Sequence, residues 1–199
     1  RTITLGVGYG LGLYNVGAAD EPRALWDPRT IHDVNISFSR VFTKTTVASL
    51  GYTFQYMGGD LSSPYLQVPL FPSTEEMWTR ENAQWVDERH PDNRIRHAVT
   101  LQGKQALSRK LFVRGKYRLY LDSWSMRAST GELGAAVELP NNVFVEVSDR
   151  LHWQSRVSFQ RRTYTVNRDF VTADRRLAEM LTNIAELTIR PRFDPVELV

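Results

Sequence analysis

Apolar and polar residues alternate along this chain with a period of two. Within residues 2–14, Ile3, Leu5, Val7, Tyr9, Leu11 and Leu13 hold the odd positions, and Thr2, Thr4, Gly6, Gly8, Gly10 and Gly12 the even ones. Successive side chains of a strand point to opposite faces, so this spacing predicts a strand with one apolar and one nearly bare face. Four glycines would destabilise a helix here. A soluble sandwich would carry larger solvated side chains on its polar face, so the pattern suits a wall against lipid.

The alternation returns in Val34, Ile36 and Phe38, then in Ala48, Leu50, Tyr52, Phe54 and Tyr56, the two runs joined by Thr43-Lys44-Thr45. A further pair starts with Ile95, His97, Val99 and Leu101, crosses Leu107-Ser108-Arg109-Lys110, and continues with Leu111, Val113, Gly115, Tyr117, Leu119 and Leu121. The next hairpin runs Leu133, Ala135, Val137, Leu139, through Pro140-Asn141-Asn142, to Val143, Val145, Val147, Leu151 and Trp153. Pro and Asn supply the backbone angles a tight turn needs. In the tail, Leu177, Met180, Leu181 and Ile184 sit at helical spacing, but Ile184, Glu186 and Thr188 alternate with Ala185, Leu187 and Ile189, and a last strand over residues 182–193 is expected.

Connections are predicted to be short at Thr43, Ser108 and Asn141, long over residues 58–93 and intermediate over residues 123–131. Outer-membrane barrels have this asymmetry, with short turns on one rim and long loops on the other. The long loop carries Pro64, Pro69, Pro72, Pro91, Trp78 and Trp85 and is expected to be ordered. Tyr9, Tyr56, Trp124 and Trp153 are the candidate interfacial aromatics, and Tyr14 and Tyr120 also lie near strand ends.

Composition narrows the picture. The chain has 199 residues, a length that suits one domain, and 25 Lys+Arg against 22 Asp+Glu leave +3. No basic run accompanies that balance, so no nucleic-acid partner is expected. Mean hydropathy is −0.37, and no stretch reaches the roughly 18–20 apolar residues of a membrane helix. A membrane β-barrel survives this test, because its strands average out as polar. With no cysteine, disulfides, thiol catalysis and Cys-ligated metals are excluded.

Four blocks resemble a bacterial family of outer-membrane β-barrel proteins catalogued as a domain of unknown function. They are Gly58-Gly59-Asp60-Leu61-Ser62-Ser63-Pro64-Tyr65; then Glu88-Arg89-His90-Pro91-Asp92-Asn93-Arg94-Ile95-Arg96, similar to an E-x-x-P-x-x-R-x-R signature; then Tyr117-Arg118-Leu119-Tyr120-Leu121-Asp122-Ser123-Trp124; and Thr172-Ala173-Asp174-Arg175-Arg176-Leu177. The resemblance implies location and architecture rather than a reaction.

The expected fold is thus an all-β, antiparallel transmembrane β-barrel of about eight strands with long loops on one rim, occupying residues 1–199 as a single barrel domain. Its opening at Arg1 and its end at Glu197-Leu198-Val199 also suit a fragment or part of a larger barrel. Charges facing hydrocarbon cost roughly 2–4 kcal/mol each near the midplane. Arg94, Arg96, Lys104, Arg114, Lys116, Arg118 and Arg150, with Asp122, Glu132, Glu138 and Glu146, are therefore expected to line the lumen, as ion-pair ladders or as a path biased toward anions. Leu5, Val7, Leu50, Phe54, Leu111, Val113, Leu119, Val143 and Val145 are expected to face lipid.

Glu88, His90 and Asp92 would share one face of an extended segment, as metal ligands do, but pairing of Glu88 and Asp92 with Arg94 or Arg96 is the expected arrangement. No serine lies in G-x-S-x-G, and the alternating glycines form a strand face and not a phosphate cradle. Neither metal, cofactor nor enzymatic activity is expected. The function expected is that of an envelope scaffold or passive channel in the outer membrane, with the bilayer as partner and residues 58–93 as a docking loop for other envelope proteins. The alternatives are a soluble barrel binding a lipid or other apolar ligand, with inverted polarity, and a lipid- or cell-wall-modifying enzyme using His97, His152 and Ser123.

Overall fold

The computed structural model describes residues 2–16, 27–71, 82–140 and 143–191. The long strands are β1 (Ile3–Val16), β2 (Asp27–Thr43), β3 (Thr46–Gly59), β6 (Asn93–Ala106), β7 (Leu111–Asp122), β8 (Arg127–Leu139), β9 (Val143–Gln154) and β10 (Met180–Pro191). They form one antiparallel sheet in the order β1-β2-β3-β6-β7-β8-β9-β10, each strand beside its neighbour in sequence among the long strands. Two short strands, β4 (Gln67–Leu70) and β5 (Gln84–Asp87), pair with each other inside the long loop.

Register carries the alternation across the sheet. One row runs Val7, Ile36, Tyr52, Val99, Leu119, Ser129, Trp153, Leu181. The row next to it, on the other face, runs Gly8, Asn35, Thr53, Ala98, Tyr120, Ala128, Gln154, Met180. Residues paired across strands share a face, so the apolar sets of all eight strands lie on one side. That side is the bare one: Leu5 is 69% exposed, and Val7 and Leu133 are each 73% exposed.

The opposite face is polar and concave. A cavity of about 500 Å³ near the short turns is lined from six strands, by Val41, Val47, Lys104, Arg114, Gly134 and Glu146. At the other rim, loops fold over this face and bring the buried apolar residues with them. Leu61, Trp124, Met126, Val157 and Leu177 form one cluster, packed on Met57, Tyr120 and Phe159; Val68, Leu70, Tyr164 and Val171 form a second. The apolar core therefore sits in the loop cover rather than between layers of sheet.

Several expectations are corrected. Among the described residues the sheet is not closed: β1 pairs only with β2 and β10 only with β9. The connection expected over residues 123–131 shrinks to residues 123–126, because β8 already begins at Arg127. Ser125 makes that turn possible with φ 68. β2 is longer than Val34–Phe38 suggested, and the β4–β5 hairpin was not foreseen. The tail does form a strand, preceded by a single 3-10 turn at Arg175–Leu177 where the helical spacing had pointed to a longer helix. Asn141, Asn142, Pro72, Trp78 and Glu197-Leu198-Val199 lie outside the described residues.

The short turns follow from local side chains. Thr43 Oγ1 accepts from the backbone N–H of Thr45 at 3.2 Å, and Ser108 Oγ accepts from those of Lys110 and Leu111 at 3.2 and 3.1 Å. At the opposite rim Gly59 adopts φ +99, and a Cβ there would stand 2.0 Å from the carbonyl oxygen of Pro28. Gly59→Ala is expected to lose about 1–3 kcal/mol from strain alone, read as a lowered midpoint of thermal unfolding followed by circular dichroism.

Candidate functional site: the two faces and the loop cover

The apolar face carries the nine positions expected to meet lipid. Leu5, Val7, Leu50 and Leu119 are exposed, while Phe54, Leu111, Val113, Val143 and Val145 are half-buried by their neighbours on the same face. Toward the loop rim this face gains polar aromatic pairs. The Tyr9 hydroxyl lies 2.9 Å from His32 Nδ1, and the Tyr52 hydroxyl 2.8 Å from His97 Nδ1. His32 also packs on Tyr56, and His97 on Phe54. Tyr9, Tyr56 and Trp153 stand on this face, but Trp124 does not: it is 5% exposed, beneath the loops, because its turn folds inward over the polar face.

The eleven charges expected in a lumen share the polar face. Their pairing is selective. Arg94 donates through Nε to Asp122 Oδ2 at 2.8 Å and through a terminal nitrogen to the same oxygen, with side-chain exposures of 6% and 0%. Asp122 also accepts from the Tyr120 hydroxyl (2.9 Å) and the backbone N–H groups of Trp124 (3.0 Å) and Met126 (2.9 Å). The Arg94 guanidinium lies 4.2 Å from the centre of the Trp124 ring. One carboxylate thereby holds the β7–β8 turn and β6 together, and every lone pair it buries has a donor.

Arg114 forms a second clamp, reaching Glu132 at 2.8 Å and Glu146 at 3.0 Å. It crosses β8 over Gly134, where a Cβ would meet Arg114 Nε at 2.8 Å. Arg96 donates to Gln55 Oε1 at 2.7 Å, and Gln55 in turn to Asp33 Oδ1 at 2.6 Å. Lys104, Lys116, Arg118 and Arg150 form no ion pair among the described residues.

In the loop cover, Glu88 does not pair with Arg94 or Arg96 as expected. Its carboxylate meets His90 Nε2 at 3.3 Å, accepts from the Thr172 hydroxyl, and accepts from the Ser63 N–H at 3.2 Å. His90 Nδ1 lies 2.9 Å from the Leu61 carbonyl. Asp92 contributes its backbone carbonyl to Gly59, and no group of three His, Cys, Asp or Glu suited to a metal occurs among the described residues. The trio named for an enzyme is spread out: His97 is on the apolar face, His152 is on the polar face beside Thr130, and Ser123 Oγ accepts from the Ile95 N–H.

The missed elements here, Arg94–Asp122, Glu88–Thr172 and the inward Trp124, are contacts between residues 28 or more positions apart or turns that change direction. The one local signal was the Asp122-Ser123-Trp124 turn, since Asp commonly bonds backbone N–H groups two residues on.

Fold and site together define an antiparallel β-sheet protein with one apolar face, one charged concave face and a packed loop cover at one rim. The chain belongs to the family described as "Protein of unknown function (DUF3570)", which it matches over residues 16–197. Comparison with curated proteins and with solved structures gives no match.

Two outcomes follow. Arg94→Ala strands a buried carboxylate and is expected to cost about 3–5 kcal/mol, while adding Asp122→Asn recovers part of the loss, measured by thermal unfolding. Burial pushes the Glu88 carboxyl up, but hydrogen bonds from His90 and Thr172, with the His90 charge and the Ser63 N–H, outweigh it and hold the group below its usual range. The Glu88 contribution is therefore full above the ordinary carboxylate pKa and lost as pH falls through the lowered one. Near-UV circular dichroism of the loop aromatics should show this acid transition, and Glu88→Gln should abolish it.

Proposed function

We propose that this sheet is a membrane-spanning wall of an outer-membrane β-barrel, acting as an envelope scaffold or passive channel. The observation that carries the reading is the exposed apolar face that runs over all eight strands, interrupted by Asp149 with its partner Asn183 and by Arg40 and Arg127 toward the rims, set against a concave face that holds the eleven charges described above. Monomeric soluble proteins seldom expose apolar patches beyond a few hundred Å². A soluble barrel for apolar ligands would turn this polarity round.

Dimensions support the same reading. The apolar sets of β1, β7 and β9 each span ten residue steps, from Ile3 to Leu13, Leu111 to Leu121 and Val143 to Trp153. At 3.3 Å per residue this is roughly 33 Å along the strand, and about 25 Å after a tilt near 40°, the height of the apolar band of outer-membrane barrels. His32, Tyr56, His97 and Trp153 mark the loop-side border of that band, where amphipathic rings favour the headgroup region.

Hydrocarbon tolerates no unpaired strand edge, so β1 and β10 each take a further strand partner in the bilayer, either from one another or from strands outside these eight. The loop cover, with Tyr65 and Trp85 exposed, is the surface offered to other envelope proteins. The charged interior suits either role, because paired charges stiffen a wall and unpaired ones line a path for solutes.

The chain has no cysteine, so single labels can be placed cleanly. Spin labels at Val7→Cys and Leu133→Cys, in protein refolded into phosphatidylcholine vesicles, should collide with oxygen far more than with a water-soluble nickel chelate. A label at Thr53→Cys on the polar face should do the reverse. Equal water access at all three, or a protein that stays monodisperse without detergent, defeats the reading.

A further inference from the structure

We propose that the polar face holds an oxyanion-binding site over β8, formed by Lys116 and Arg118 of β7 and Arg150 of β9, for small solutes carrying phosphate or carboxylate groups. It rests on the reading of this face as a water-filled interior, and names what that interior selects.

Three observations converge. First, Lys116, Arg118, Arg150, Thr130, His152 and Glu132 line one cavity of about 280 Å³, room for roughly nine waters at ~30 Å³ each. Second, β7 and β9 flank β8, which sets the two sources of cations about 9.6 Å apart; long Lys and Arg side chains converge across that gap on one polyatomic anion. Third, the acid that should neutralise them is withdrawn. Glu132 lies in direct register with both Lys116 and Arg150, yet Arg114 takes its carboxylate at 2.8 Å and holds Glu146 at 3.0 Å with its other terminal nitrogen. Gly134 leaves the path over β8 open for that reach.

The other acids of the face are placed elsewhere. Asp122 is held by Arg94, Asp33 by Gln55, and Glu186 by Thr188 at 3.1 Å, while Glu138 pairs in register with Phe144 at the short-turn end. Lys116, Arg118 and Arg150 thus face the cavity with no ion-pair partner among the described residues. Both signs occur on this face, but Arg114 occupies Glu132 and Glu146, so Lys116, Arg118 and Arg150 stay unpaired at this cavity, as Lys104 does in the cavity near the short turns. Arg118 and Arg150 offer planar forks suited to phosphate and carboxylate oxygens.

The test is calorimetric titration of the refolded full chain with inorganic pyrophosphate at ~0.01 M ionic strength, where screening extends to about 30 Å. Saturable binding is expected. Arg118→Gln with Arg150→Gln should weaken it at least tenfold, and Glu132→Gln should tighten it severalfold. Arg114→Gln, outside the cavity, should weaken binding by freeing Glu132 to pair with Lys116 or Arg150, and adding Glu132→Gln should restore it. Arg190→Gln, a control on the same face, should leave it unchanged. No saturable binding by the native chain, or equal binding by the Arg118/Arg150 double variant, overturns the site. The outcome separates from the membrane reading, because the spin-label pattern reports orientation while the titration reports only this cluster and can be run in detergent or in buffer.

Discussion

The structure depends on one constraint: a single-layer sheet whose side chains largely alternate between two chemistries has nothing among the described residues to cover its apolar side. A sandwich solves the problem with a second sheet, and an α+β fold with helices. Here neither is present among the described residues. The buried apolar clusters among the described residues belong to the loops, and the loops cover the polar face. On the membrane reading proposed above, the medium on the convex side is itself apolar, and the hydrophobic effect then favours this orientation of the sheet over its reverse.

That constraint explains how charge is handled on the concave face. Where the loops exclude water, Asp122 receives donors on both oxygens and Arg94 is covered by Trp124, because a bare buried charge would be expensive. Toward the short turns the face is open, and Arg114 remains 40% exposed in its clamp, so its pairs contribute modestly to stability and act mainly by position. Between these zones, cations without partners are tolerated because water solvates them. The gradient from dry to wet along the strands is thus also a gradient from structural to available charge.

How much was legible in the sequence divides along the same line. Period-two alternation reveals strands and faces locally, so residues 3–13, 48–56, 95–101 and 111–121 announce which side each residue takes, and register then carries that assignment across the sheet. The short turns at Thr43 and Ser108 were equally plain. The partners of Arg94 and Glu88 were not, because the sequence places nearer opposites beside them: Asp92 is two residues from Arg94, whereas Asp122 reaches it only through β6–β7 pairing. Trp124 misled for a related reason, since an aromatic near a strand end has the same spacing whether its turn folds outward or inward. Closure is a property of the two outermost strands, and no local period encodes what lies beyond them.

The loop cover and the sheet are joined at few points, and those points show how the rim is built. Gly59 brings β3 into the long loop with a donor to Asp92, Glu88 ties that loop to Ser63 and to Thr172 of the segment after β9, and Tyr164 fixes the same segment by accepting from the Thr172 N–H at 2.9 Å. Two long connections, from opposite parts of the sheet, are therefore cross-linked over the polar face by a buried carboxylate and a buried hydroxyl. Such a bridge resists separation of β3 from β9 at the loop rim, where those strands share no ladder. Curvature of the sheet at that rim is then held by loop packing, while toward the short turns it rests on the turns themselves and on the Arg114 clamp to Glu132 and Glu146.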